Sequence, residues 1–297
     1  MTLRSFLFVP GDSERKLAKA ETTQADALVL DLEDAVAPEN IDRARGMVKA
    51  YLQARRSSTK VSGRQQLWVR INPIQTPKAL ADLAAVMPGA PDGIMLPKAD
   101  SAAEAITLGH YLSALEAREG LTPESTRILP VATETPRAMF ALGSYHGATA
   151  RLFGLTWGAE DLSTAIGAST NRLLDGEYEF TYKLARSLCL LGASAAGIAA
   201  IDTLYSNFKD PEGLLADSQA GRRAGFSGRI AIHPDQAEII NKAFTPDEKE
   251  VAFARRVVDA FSAAEGAGTI QLDGKMLDRP HLTQAQKLLE LAARSSR

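Results

Sequence analysis

Carboxylates, one guanidinium and one ammonium recur in this chain directly after short apolar runs. The runs lead into Pro10-Gly11-Asp12, Asp31-Leu32-Glu33-Asp34, Arg70-Ile71-Asn72, Pro97-Lys98, Glu134-Thr135, Gly158-Ala159-Glu160-Asp161, Asp202 and His233-Pro234. If the runs are strands of one barrel, these groups face a single mouth, where active sites lie. Asp31, Glu33, Asp34, Glu134 and Asp161 are too many acids to sit there unpaired, because like charges raise one another's pKa. A hard divalent cation resolves the conflict, and magnesium takes one or two carboxylates plus water and substrate oxygens. Glu134 and Asp161, on consecutive runs, are the expected ligands, with Asp31, Glu33 and Asp34 holding metal-bound waters behind them. The alternative is that some of these acids cap helices, Asp12 ahead of Ser13-Glu14 and Asp161 ahead of Leu162.

Other chemistries find less support. The single cysteine, Cys189, lies in the apolar stretch 188–191 with no local base, so it reads as packing. The histidines, His110, His146, His233 and His281, form no close pair, which argues against a histidine-built zinc site.

The elements that must position these groups are legible. Runs at 5–9, 27–31, 67–71, 93–96, 127–132, 151–155, 197–201 and 229–232 are nearly continuously apolar, as strands covered on both faces should be. Alanine- and leucine-rich segments such as 101–118 and 136–144 separate them as crossover helices. Eight such units predict an α/β fold, a (β/α)8 TIM barrel over residues 1–244, with a doubly wound open sheet as competitor. The pattern changes after that. Thr245-Pro246-Asp247-Glu248 reads as an N-cap and first turn, with a helix to about 263. A flexible joint at 266–268, a hairpin turn at Asp273-Gly274 and a last helix over 283–293 follow. Residues 245–297 therefore read as a C-terminal helical lid or oligomerisation segment. Arg55 to Arg64 reads as a polar, basic loop.

The 297 residues suit one large core with a small appendage, and 45% apolar with 24% charged residues is ordinary globular composition. A net charge of −2 gives no reason to expect nucleic acid or an anionic membrane as partner. No apolar run approaches the roughly 20 residues that span a bilayer, and Pro10-Gly11 ends the first run too early for a signal peptide. A cytoplasmic enzyme is the expectation.

Nine motifs occur in order: LFVPGDSERKLAKA, DLEDAV, VRIN, LPKAD, ATETPRA, WGAEDLSTAIGA, AIDTLYSNFKD, GFSGRIAIHPDQ and DGKMLDRPH. Together they resemble the citrate lyase β-subunit-like family of acyl-CoA lyases, which includes malyl-CoA and citramalyl-CoA lyases, from Leu3 to about Ala292. The resemblance implies a TIM barrel, magnesium on Glu134 and Asp161, and a homotrimer or a hexamer. It assigns Arg70 to the α-keto acid or the thioester enolate, a task that suits a planar fork; a purely structural Arg70–carboxylate pair is the alternative. It makes Asp278 the catalytic acid–base group, carried by the lid toward a neighbouring subunit's barrel. Pro136 and the Leu204-Tyr205 pair stand where the keto-acid pocket is expected to be shaped.

The implied reaction cleaves or forms a 3-hydroxyacyl-CoA, such as citramalyl-CoA or malyl-CoA, giving acetyl-CoA and pyruvate or glyoxylate through an enolate. Arg15, Lys16 and Lys19 are candidates for the CoA phosphates, or a solvated helix face. Pro10 and Gly11 are candidates for pantetheine, and Asn72, Lys98 and His233 for ligand contact. Three rival readings remain: the citryl-thioester lyase subunit of a citrate lyase complex, docking an acyl carrier protein; a CoA-independent pyruvate aldolase on a related barrel, which leaves the basic first helix and Asp278 without a task; and a non-enzymatic CoA or metabolite sensor.

Overall fold

Burial with a period of two sorts the strand residues into two cores. Phe6, Val29, Trp68, Met95, Leu129 and Ile201 pack in one cluster, and Leu7, Leu28, Val69, Ile94 and Ile128 join a second, larger one. Neighbours in sequence thus face opposite sides, as strands covered on both faces require. The structure, a computed structural model, describes residues 3–57, 65–264 and 266–295.

The elements alternate: β1 (Ser5–Pro10), α1 (Glu14–Ala20), β2 (Ala27–Asp31), α2 (Ile41–Ser57), β3 (Gln66–Arg70), α3 (Pro77–Val86), β4 (Gly93–Leu96), α4 (Ala102–Glu119) and β5 (Arg127–Pro130). Then come α5 (Pro136–Met139), β6 (Gly154–Thr156), α6 (Glu160–Ala165), α7 (Phe180–Ala195), β7 (Ala199–Asp202), α8 (Pro211–Ala224), β8 (Gly228–Ala231) and α9 (Gln236–Ala243). The eight strands pair in parallel in the order β5-β4-β3-β2-β1-β8-β7-β6. Parallel bridges Ile128↔Leu152 and Val131↔Thr156 span the remaining gap between β5 and β6, so the sheet closes on itself. That closure excludes the open doubly wound sheet. Inside the barrel, Phe6, Trp68 and Phe153 meet edge to face at centroid distances of 5.7, 5.8 and 5.3 Å. Such pairs add about 0.5–1.5 kcal/mol each beyond their burial.

A buried ion pair pins the closing seam. Glu116 of α4 accepts from Arg151 Nη1 at 2.8 Å and Nη2 at 2.7 Å, and from the amides of Glu124 and Thr126, both at 2.9 Å. Burial works to raise the Glu116 pKa, but these bonds outweigh it and hold it below the ordinary carboxylate value. Glu116→Ala strands a buried guanidinium and is expected to cost about 3–5 kcal/mol in urea unfolding. Because the folded-state pKa is depressed, the stabilisation is full above the unfolded value of about 4.3 and fades as pH falls through the folded one. The gap between wild type and Glu116→Gln should therefore close in acid. A gap that is constant with pH contradicts the assignment.

The last unit comprises α10 (Glu248–Ala263), β9 (Thr269–Leu272), β10 (Lys275–Asp278) and α11 (Arg279–Ser295), with its own core of Ala254, Val257, Phe261, Leu277 and Ala285. Its hairpin turns at Asp273-Gly274, both at positive φ, as a two-residue turn demands. The α10 cap is Asp247, in a capping box with Glu250, two residues beyond the expected Thr245. Thr245 is already engaged: its hydroxyl donates to Asn241 O at 2.7 Å and accepts from Arg4 Nη1 at 2.9 Å. Helix α11 begins at Arg279 rather than 283, and α5 ends at Met139, short of the expected 144. Arg55 and Arg56 finish α2 instead of opening a loop; residues 58–64 of that stretch lie outside the described residues. No helix among the described residues is long and apolar enough to cross a membrane.

Candidate active site

Strand register places the first pair. Asp31 and Arg70 end β2 and β3 as direct partners, on the same side as Val29 and Trp68 and hence toward the barrel interior. Arg70 donates from Nε to Asp31 Oδ1 at 2.7 Å and from Nη2 to Oδ2 at 2.6 Å, a bidentate fork. Its Nη1 stands 2.9 Å from Glu33 Oε2, and its plane lies 4.6 Å over the Phe8 ring. Burial alone would lower the Arg70 pKa, but Asp31, Glu33 and Glu134 raise it, so the charge is permanent. A guanidinium carries five N–H donors, so part of the fork remains for a ligand. Asp31 is fully buried and also accepts from the amides of Glu33 at 3.0 Å and Ala35 at 3.1 Å. The geometry makes it the anchor of Arg70.

The second cluster forms where β4, β5 and β6 end. Glu134 is 5% exposed, and its Oε2 accepts from the Lys98 amide at 2.6 Å. Lys98 stands at φ 51, in the left-handed region, which turns that amide to the carboxylate. Gly158 keeps the space beside it open, because a Cβ there would lie 3.1 Å from Glu134 Cγ and 3.2 Å from Oε1, tighter than ordinary contact. Thr135 caps α5, accepting from the Ala138 amide at 3.1 Å and donating to Asp100 at 2.6 Å, which fixes the chain just after Glu134. Asp161 lies in the first turn of α6, whose cap position is Ala159, so it does not cap that helix. Nor does Asp12 cap α1: Ser13 holds that position, and Asp12 accepts from Asn40 at 3.1 Å.

Burial first, then the charge of Asp161, pushes the Glu134 pKa up to about 8 against the opposing Lys98 amide. A divalent cation would hold both acids ionised, and the pair fits magnesium, whose other positions go to water and substrate oxygens. Among the described residues no group of three or more His, Cys, Asp or Glu side chains is placed to hold a metal. Glu33 and Asp34 are turned to Lys98, whose Nζ contacts Glu33 Oε1 and lies 3.2 Å from Asp34 and 3.3 Å from Asp161.

A cavity of about 700 Å3 opens beside Arg70 and Asp31. Pro10, His233 and the helix residues Arg15, Lys16 and Lys19 line it. These three cations make no ion pair among the described residues, whereas His233 stacks on Phe208 at 5.1 Å. The structure thus joins the β1, β3 and β8 candidates around one space. Gly11 serves the backbone instead: a Cβ there would lie 2.6 Å from Asp31 O. Asn72 donates its amide to Leu32 O and Asp82, each at 2.8 Å, and lies outside the cavity wall. Asp278 sits on β10 against His281 and does not line the cavity.

One strand-end acid points the other way. Asp202 was expected at the mouth, but Ile201 takes the interior side of β7, which turns Asp202 outward. There it accepts from Trp157 Nε1 at 2.8 Å, Arg186 Nε at 3.1 Å and Arg229 Nη2 at 3.3 Å, a structural cluster. Phe8 and Gly158 were missed. Phe8 was readable from strand parity with Phe6; Gly158 becomes visible only once Glu134 is placed. Cys189 is buried, with its thiol pKa raised by that burial.

Residues 4–234 match the HpcH/HpaI aldolase/citrate lyase family. A citrate lyase subunit beta from Leuconostoc mesenteroides subsp. cremoris is 36% identical over 291 residues, 97% of this chain and 93% of its own length. A (3S)-malyl-CoA thioesterase from Cereibacter sphaeroides is 36% identical over 295 residues, 97% of this chain and 94% of its own. The crystal structure of CitE from Mycobacterium tuberculosis in complex with magnesium, acetoacetate and coenzyme A superposes with a TM-score of 0.80 at 33% identity, covering 98% of each chain.

Proposed function

Since the chain belongs to the HpcH/HpaI aldolase/citrate lyase family, we propose that it is a magnesium-dependent carbon–carbon lyase acting on a 3-hydroxyacyl-CoA. The products are acetyl-CoA and an α-keto acid: pyruvate from citramalyl-CoA, glyoxylate from malyl-CoA. The carrying observation is the Arg70 fork, locked on Asp31 between the Glu134–Asp161 pair and a cavity walled by Arg15, Lys16 and Lys19. The CitE structure, which holds magnesium, acetoacetate and coenzyme A, supports the same ligand set here.

Glu134 and Asp161 would hold magnesium, which would supply Lewis acidity toward the substrate's oxygens. The chain's own residues do the rest. The helix α1 cations hold the CoA phosphates at one wall of the cavity, while Pro10 and His233 border the pantetheine path. A base takes the hydroxyl proton, the C–C bond breaks, and its electron pair passes to the acetyl thioester as an enolate. The Arg70 N–H groups left free by Asp31 stabilise that oxyanion, preorganised because the fork is already fixed. Asp278, on a lid formed by residues 245–297, serves as the general acid that delivers a proton to the methylene carbon and completes acetyl-CoA. Asp278 does not line its own chain's cavity, which favours supply from a neighbouring copy in a homotrimer or hexamer. The expected setting is the cytoplasm.

The test offers purified protein a panel of (R)- and (S)-malyl-CoA and citramalyl-CoA. Acetyl-CoA release with Mg²⁺, abolished by EDTA, is expected for one member. Silence across the panel from folded, magnesium-binding protein contradicts the reading. Activity appearing only with a co-purified acyl carrier protein moves the substrate to a citryl thioester.

A further inference from the structure

The ammonium of Lys98 lies amid the acids around the proposed metal site. Its Nζ contacts Glu33 Oε1 and lies 3.2 Å from Asp34 Oδ2 and 3.3 Å from Asp161 Oδ1. Glu33 is buried, and its second oxygen lies 2.9 Å from Arg70 Nη1, so both of its oxygens face a cation of the protein. Five carboxylates, Asp31, Glu33, Asp34, Glu134 and Asp161, thus share two fixed positive charges, and Asp31 is taken by Arg70. Without the ammonium, Glu33 and Asp34 would have reason to turn toward any divalent cation held by Glu134 and Asp161.

We propose that Lys98 sets the cation preference of the site, holding Glu33 and Asp34 out of the coordination sphere so that it offers two carboxylates instead of four. The proposal rests on Glu134 and Asp161 being the ligands. Two carboxylates with water and substrate oxygens suit magnesium, which is small, octahedral and reluctant to lose its waters; four acids suit calcium, which takes 6–8 oxygens. A cation arriving at Asp161 displaces Lys98 from one of three acids and leaves it the other two. The main chain of Lys98 has a separate task, donating its amide to Glu134 at 2.6 Å. A change confined to the side chain leaves that bond in place and isolates the ammonium.

The experiment is calorimetric titration of the full chain with MgCl2 and with CaCl2, without substrate. Lys98→Met is expected to tighten calcium binding by about tenfold or more, the scale of losing one nearby like charge, and to tighten magnesium less. Adding Glu33→Gln and Asp34→Asn to Lys98→Met should return calcium affinity to the wild-type value. Unchanged or weaker calcium binding in Lys98→Met overturns the proposal, as does a gain that survives loss of both acids. Should Lys98→Met not fold, Glu33→Gln with Asp34→Asn in the wild-type background decides. The ratio of the two affinities should then stay within about twofold, since neither acid is a ligand and the lost charge acts on both cations alike, and a calcium loss about tenfold beyond the magnesium loss overturns the proposal. A folded wild-type protein that binds neither cation contradicts the assignment of Glu134 and Asp161, a separate failure.

Discussion

Arg70→Lys is expected to lower kcat by about a hundred- to a thousandfold with a much smaller change in KM, the scale of losing one preorganised oxyanion donor. Lysine keeps the charge but not the plane. It cannot span Asp31 through two N–H groups, as Arg70 does at 2.7 and 2.6 Å, and still present donors to a ligand. Nor can an ammonium reproduce the guanidinium face that rests 4.6 Å over Phe8. Stopped assays on each substrate in the panel, with a circular dichroism melt as control, check the outcome. A melt shifted by several degrees with kcat intact would make Arg70 a structural pair for Asp31 and nothing more.

Glu134→Gln is expected to remove both activity and magnesium affinity. The amide is isosteric and its oxygen can still accept from the Lys98 amide, so the fold around Gly158 and Thr135 should hold. What disappears is one of two anionic donors. The affinity loss should exceed about a hundredfold, beyond the 10–100-fold typical of groups behind a metal's ligands. Calorimetry with MgCl2 reads it directly. A variant that binds magnesium within tenfold of wild type contradicts the role given to Glu134, even if its activity is low.

The strands most readily legible in sequence were those buried on both faces. Runs at 27–31 and 93–96 match β2 and β4 to the residue, because an unbroken apolar run has no other use in this fold. The run at 151–155 matches β6 poorly. Only Gly154–Thr156 is regular strand, and Arg151 is drawn out of the pattern by Glu116. The α10 cap was misplaced because Thr245 and Asp247 are both competent, and the choice is made by Asn241 and Arg4, far away in sequence.

The site divides along similar lines. That acids end the strands is a local fact, visible in one dimension. Which acid meets which cation depends on register between strands, so the anchoring of Arg70 by Asp31 and the grip of Lys98 on Glu33 and Asp34 emerge only in three dimensions. Asp202 shows the limit most plainly. It ends a strand as Asp31 does, yet one step of parity sends it out to Trp157, Arg186 and Arg229. Asp278 had no local signature at all; its proposed role comes from the DGKMLDRPH resemblance, and the structure adds its pairing with His281.

The relatives bear names that imply two different bond cleavages, a lyase subunit and a thioesterase. The decisive measurement follows a 13C label in the thioester carbonyl of the substrate that the panel selects, by NMR during turnover with Mg²⁺. The account predicts that the label appears in acetyl-CoA, with an equimolar amount of unlabelled keto acid and no early release of free CoA. Label appearing directly in a free hydroxy diacid, with CoA released in step and no keto acid, would show thioester hydrolysis and contradict the enolate chemistry assigned to Arg70.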